Sequence, residues 1–121
     1  MPELVRAGAV HVAPARAVEL LYFDGCPSYE ALLLRLRELL RQVNAGDDVI
    51  LRRIPDERTA QRERFLGSPT VRVDGEDIEP GARERDDFGI KCRLYATDNG
   101  LRTTPLDEWV LDALWGRGGS S

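Results

Sequence analysis

The sequence predicts an α/β domain, a small mixed β-sheet flanked by helices in the order β-α-β-α-β-β-α, with an insertion before the last helix. Three observations lead to it. Short runs of β-formers alternate with a leucine-rich segment of helical spacing and a charged helical segment through the first half of the chain. A strand, a helix and a second strand joined by loops imply a parallel pair. Asp74-Gly75, set between short alternating runs, is a two-residue hairpin signal and adds antiparallel strands. The 121 residues fit one domain with one core.

The first residues show no firm periodicity. Val10, His11 and Val12 read as a short strand stopped by Pro14, and His11 has no neighbours that complete a site. Residues 1–16 are therefore expected to form an N-terminal extension, 17–116 the domain and 117–121 a flexible Gly/Ser tail. Strand one is expected over residues 18–23, where Val-Glu-Leu-Leu-Tyr-Phe is rich in β-formers, and Asp24-Gly25 breaks it. Helix one is expected over 27–43. Leu32, Leu33, Leu36, Leu39, Leu40 and Val43 recur at three and four residues as one apolar stripe, and Asn44-Ala45-Gly46 ends it.

Strand two is expected over 49–54. Arg52-Arg53 within it reads as solvated strand-end charge, with an anchor for a substrate carboxylate as the sharper alternative. Asp56 caps a second helix reaching about Phe65, with Arg58, Arg62 and Glu63 facing water. Val71 and Val73 alternate with polar residues in strand three, and residues 76–79 return from the Asp74-Gly75 turn. Residues 81–89 read as a charged loop, 91–96 as a short strand and Asp98-Asn99-Gly100 as a turn. Thr104-Pro105 reads as the cap and first position of the last helix. Leu106, Trp109, Val110, Ala113 and Leu114 form its buried face.

Composition excludes several functions. Hydrophobic residues at 42% beside charged residues at 31% describe a soluble globular chain. The net charge of −4 argues against general binding to nucleic acid or anionic membranes. Sixteen Arg accompany a single Lys, Lys91, a bias that selects no function. Two Cys and one His, far apart, match no metal-ligand spacing, and no metal or other cofactor is expected. No apolar run approaches the ~20 residues of a membrane span, and the first sixteen residues lack a signal-peptide core. The expected compartment is the reducing cytoplasm.

The chemistry centres on Cys26. It follows strand one and precedes Pro27, which suits the first position of a helix. A thiol in that place feels unpaired backbone N–H groups and the positive end of the helix dipole, both of which favour thiolate. Asp24 and Glu30 oppose that effect with negative charge, and the helix end is expected to win modestly.

Cys26-Pro27 at the first strand–helix junction, with Ser68-Pro69-Thr70 before the third strand, resembles the thioredoxin-like superfamily over about residues 17–115. The string Leu-Tyr-Phe-Asp-Gly-Cys-Pro-Ser-Tyr resembles most a group of small thioredoxin-like bacterial proteins named for an Asp–Phe-type motif (DF-type). Some of these carry selenocysteine at the position matching Cys26. The resemblance implies a thioredoxin-like fold and Cys26 as the catalytic thiol. It implies a cis Pro69 packed against the sulfur, Ser68 bonding substrate backbone, and Pro27, Tyr29 and Thr70 completing the substrate side. The pattern departs from Cys-x-x-Cys, because Tyr29 stands where a second thiol would be and cannot attack a mixed disulfide.

The second thiol is then Cys92 or an external one. If residues 92–96 partner strand three, Cys92 lies about 13 Å down the sheet from the cleft. If Asp74-Gly75 turns the hairpin, residues 81–104 are an insertion near the cleft, and Cys92 comes close to Cys26. The hairpin signal favours the second placement.

The leading functional expectation is thiol–disulfide redox chemistry through Cys26, resolved by Cys92 or a small thiol, with a thiol- or disulfide-containing protein or a low-molecular-weight thiol as partner. A second is soft-metal or organomercurial handling by the two thiols with Asp24 as proton donor. For this, Cys92-Arg93-Leu94-Tyr95 and the helix that follows look faintly similar to the carboxyl-terminal part of organomercurial (alkylmercury) lyases. A third is a non-catalytic thioredoxin-like module that recruits a partner.

Overall fold

The computed structural model describes residues 16–26, 28–45 and 48–115. The expectations for residues 1–15, including Val10, His11 and Val12, and those for Pro27, Gly46 and the tail from residue 116 lie outside them. The described chain is a mixed α/β structure with three α-helices.

Strand β1 (Val18–Tyr22) is central. It pairs in parallel with β2 (Ile50–Arg53) and antiparallel with β3 (Thr70–Val73). β3 turns at Asp74-Gly75 into β4 (Glu76–Asp77), so the sheet order is β2-β1-β3-β4. Both turn residues have positive φ, 53° and 85°, the backbone that a tight hairpin of this hand needs and that Asp-Gly supplies.

Alternation along β1 gives the sheet two apolar faces. Val18 and Leu20, with Val71 and Val73 of β3, face Leu32, Leu36, Leu39 and Leu40 of α1 (Ser28–Gln42) and Val110 and Leu114 of α3 (Asp107–Leu114). Leu21 belongs to a second cluster with Ile54, Ala60 and Phe65, around α2 (Glu57–Arg62). Each fully buried Leu contributes about 1.5–3 kcal/mol of transfer free energy. The α1 leucines are spaced to lie on one face, and Asn44, at φ 58°, takes the left-handed backbone that stops the helix. Asp56 caps α2 as its side chain accepts from Thr59 N at 2.8 Å.

Several expectations are corrected. The charged loop expected over residues 81–89 contains a 3-10 turn (Ala82–Glu84), and the strand expected over 91–96 starts only at Tyr95, as β5 (Tyr95–Thr97), which pairs across the expected turn with β6 (Gly100–Arg102) in a separate hairpin. Cys92 precedes that hairpin and makes only an isolated bridge to Ser68. The return strand stops at Asp77, where that carboxylate accepts from Glu79 N at 3.0 Å and bends the chain away. Thr104 does not cap the last helix: Leu106 remains extended and α3 begins at Asp107. There Arg35 of α1 grips the Asp107 carboxylate and fixes the start of the helix against α1. Arg53 is exposed, as expected of strand-end charge, and Arg52 is half-buried, but neither is a free anchor. Arg52 bonds Glu63 at 2.8 Å and Glu19 at 3.4 Å, so Glu63 does not simply face water, and Arg53 bonds Asp24 at 2.9 Å.

Candidate functional site

Cys26 sits where β1 ends. The chain turns through Asp24 and Gly25, and Cys26 N donates to Phe23 O at 3.2 Å. Gly25 serves this turn, because a Cβ there would lie 2.8 Å from the Phe23 ring. Two residues beyond Cys26 the first turn of α1 begins at Ser28.

The Cys26 thiol is enclosed, with the residue 2% exposed, and its Sγ donates to Ser68 O at 3.3 Å. The Ser68–Pro69 peptide is cis. The sulfur expected at an open cleft is thus covered, and the solvent-facing thiol is Cys92.

Cys92 is held against Ser68 from both sides. Ser68 N donates to Lys91 O at 2.8 Å, and Arg93 N donates to Ser68 O at 2.9 Å. The Ser68 carbonyl therefore accepts from the Cys26 thiol and from the backbone that flanks Cys92. This approach needs Gly67. It has φ 122°, and a Cβ would stand 3.0 Å from both Lys91 O and Arg93 Cβ.

The two thiols interact. Loss of hydration, then the charge of Cys26 and a hydrogen bond to it, push the Cys92 thiol above its ordinary value. Cys92 is exposed as a residue.

Arg93 anchors the segment from beneath. It is 2% exposed, and its guanidinium donates to Asp77 at 2.7 and 3.0 Å, to Glu79 at 2.6 Å and to Thr70 Oγ1 at 2.8 Å. It also lies over the Tyr95 ring at 4.5 Å. Burial works against its charge, but the Asp77 hydrogen bonds, the Tyr95 interaction and Glu79 together raise its pKa further above the ordinary value. Tyr95 is itself buried and donates to Pro69 O at 2.5 Å, and burial pushes its phenol well up. Thr70 Oγ1 donates to Gly67 O at 2.5 Å. Ser68 Oγ and Arg93 Nε are buried with no hydrogen-bond partner among the described residues.

The structure thus brings together Cys26, Cys92, Ser68, Pro69 and Thr70. Tyr29 stands on α1 with its ring stacked on Tyr22, centroids 4.1 Å apart. Burial, then the charges of Glu30, Tyr22 and Asp24, raise its phenol. Asp24 is exposed and bound to Arg53. Among the described residues no three His, Cys, Asp or Glu side chains gather as a metal site. No helix among them is long and apolar enough to cross a membrane.

Gly67, Arg93 and Tyr95 were not foreseen as site residues. The available signal for Arg93 was the pair Asp77 and Glu79, which share one side of an extended segment near the hairpin. No protein-family model, no curated protein and no solved structure significantly matches this chain.

Proposed function

We propose that this chain is a thioredoxin-like thiol redox protein in which Cys26 and Cys92 form one two-electron couple. The observation that carries the reading is the docking of the Cys92 segment on Ser68, whose carbonyl also holds the Cys26 thiol. That arrangement supplies from a distant part of the chain the second sulfur that the Cys-Pro-Ser-Tyr sequence lacks. Further support comes from the sheet order β2-β1-β3-β4, with a thiol ahead of the first helix and Ser68-Pro69 facing it. The partner is a protein or small molecule that carries a thiol or a disulfide, and the chemistry is thiol–disulfide exchange.

The test is mild oxidation of the reduced protein in a glutathione redox buffer, followed by peptide mass spectrometry. The expected product is an intramolecular Cys26–Cys92 disulfide. Its absence, with glutathione left on one sulfur, overturns the couple.

Adjacent thiols also favour a thiophilic ion, which is the second reading. The organomercurial form of that reading needs a proton from Asp24, whose carboxylate is engaged by Arg53. Stoichiometric mercury binding that disappears in both Cys26→Ser and Cys92→Ser is what this reading expects.

A further inference from the structure

We infer that Cys92, not the strand–helix thiol Cys26, is the sulfur that forms the mixed disulfide with the substrate, and that Cys26 is the buried resolving thiol. The inference rests on the two-cysteine reading above and assigns the roles within it.

The argument is one of access. Thiol–disulfide exchange needs an approach in which the attacking, central and leaving sulfurs lie nearly in line, and the rate depends on which sulfur can be reached. Cys26 is 2% exposed, and its thiol is tied to the Ser68 carbonyl. Cys92 is exposed, and its flanking backbone is pinned on Ser68, whose carbonyl also holds the Cys26 thiol. A disulfide substrate from solvent therefore reaches Cys92 first. Once it is attached there, the Cys26 thiol is held nearby on the Ser68 carbonyl, to which the backbone after Cys92 also bonds.

The steps balance. The Cys92 thiolate, having given its proton to solvent, attacks one sulfur of a substrate RS–SR. A Cys92–SR bond forms, the substrate S–S bond breaks, and the first RS⁻ leaves. The Cys26 thiol then loses its proton and attacks the Cys92 sulfur. The Cys26–Cys92 bond forms, the Cys92–SR bond breaks, and the second RS⁻ leaves. Two protein thiols have lost two electrons, and one substrate disulfide has gained them. The two released protons neutralise the two RS⁻ groups. In the reverse direction an incoming thiolate attacks Cys92, the sulfur open to solvent, and Cys26 leaves.

The elevated Cys92 thiol makes the first step slow at neutral pH and faster as the solution becomes alkaline. Binding a substrate does not require Cys26 to be uncovered at any point.

The test uses oxidised glutathione as the disulfide probe, with Cys26→Ser, Cys92→Ser and wild type, each followed by intact mass and peptide mapping. Cys26→Ser is expected to take up one glutathione on Cys92 at least tenfold faster than Cys92→Ser takes it up on Cys26. Wild type is expected to pass through a Cys92 adduct to the intramolecular disulfide. Equal or faster capture by Cys26 in Cys92→Ser overturns the assignment of roles, while a wild-type protein that still closes its disulfide leaves the couple standing. A wild-type adduct that never closes overturns the couple, and the inference with it. Wild-type protein pulse-labelled with iodoacetamide while folded guards against misfolded variants. Cys92 is expected to label at least tenfold faster than Cys26, and the opposite order refutes the inference.

Discussion

Cys26 and Cys92 reach the same place by different physics. Cys26 is positioned locally: β1 ends, Asp24-Gly25 turns, and α1 starts two residues later. Cys92 is positioned at long range. It lies outside any strand, three residues before β5, and it is held by Ser68, by the space left at Gly67 and by the Arg93 guanidinium buried among Asp77, Glu79 and Thr70. The difference teaches that a sulfur on a strand–helix junction is robust to change in the rest of the chain, whereas its partner is only as well placed as a buried ion network.

The sharpest way to break this contrast is Arg93→Met. It leaves the partly buried Asp77 carboxylate without its cation, while Glu79 keeps Arg85 at 3.0 Å, and breaking a buried pair such as Arg93–Asp77 costs about 3–5 kcal/mol. Urea unfolding is expected to show a loss of that order. At denaturant-free conditions, closure of the Cys26–Cys92 disulfide is expected to slow at least tenfold while β1 and α1 stay protected in hydrogen exchange. Unchanged closure would show that Arg93 does not position Cys92.

Gly67→Ala comes next. At the left-handed φ of 122°, a methyl would crowd Lys91 O and Arg93 Cβ at 3.0 Å, so these neighbours must shift to admit it. Forcing an L-residue into such a backbone costs about 1–3 kcal/mol. Disulfide closure is expected to fall again, with Arg93 intact, which separates backbone docking from the ion network.

Asp56→Ala is the far control. Loss of its cap bond to Thr59 N lowers the thermal midpoint slightly and leaves the rate of disulfide closure unchanged.

The smallest effect concerns pH. Cys92 is raised by lost hydration first, then by the charge of Cys26 and the bond to it. Its alkylation midpoint is expected above that of a free thiol, and to drop toward it in Cys26→Ala. A thiol whose folded pKa is raised holds its proton more tightly when folded. Its contribution to stability is therefore complete below the unfolded thiol pKa, about 8.5, and is lost as pH rises through the folded value. A chemical-denaturation series from pH 7 to 10 on reduced protein, compared with Cys92→Ser, reads this term.

Much of the mixed sheet was legible because its signals are local. The leucines of α1, the alternation of Val71 and Val73, the Asp74-Gly75 turn and the Asp56 cap each act within a few residues. The insertion was not, because its order is tertiary. By hydropathy Leu94 belongs inside and Arg93 outside. The structure has the reverse, with Leu94 52% exposed and Arg93 2%, because two carboxylates and a tyrosine ring wait beneath Arg93. The same inversion turns Cys92 outward. The late start of α3 has a similar cause, since Asp107 answers to Arg35 on another helix rather than to Thr104. The covering of Cys26 was equally invisible, as it depends on a carbonyl 42 residues away.

The Ser68 carbonyl has a consequence for the direction of exchange. An amide oxygen has two lone pairs, and here both meet donors, one of them the hydrogen on the Cys26 sulfur. A sulfur joined to another sulfur carries no hydrogen, so closing the bridge would strip this interior oxygen of one of its two donors. The dithiol form alone keeps both, so within the proposed couple this contact favours the dithiol. A protein poised this way would pass its bridge on to others more readily than it would accept theirs.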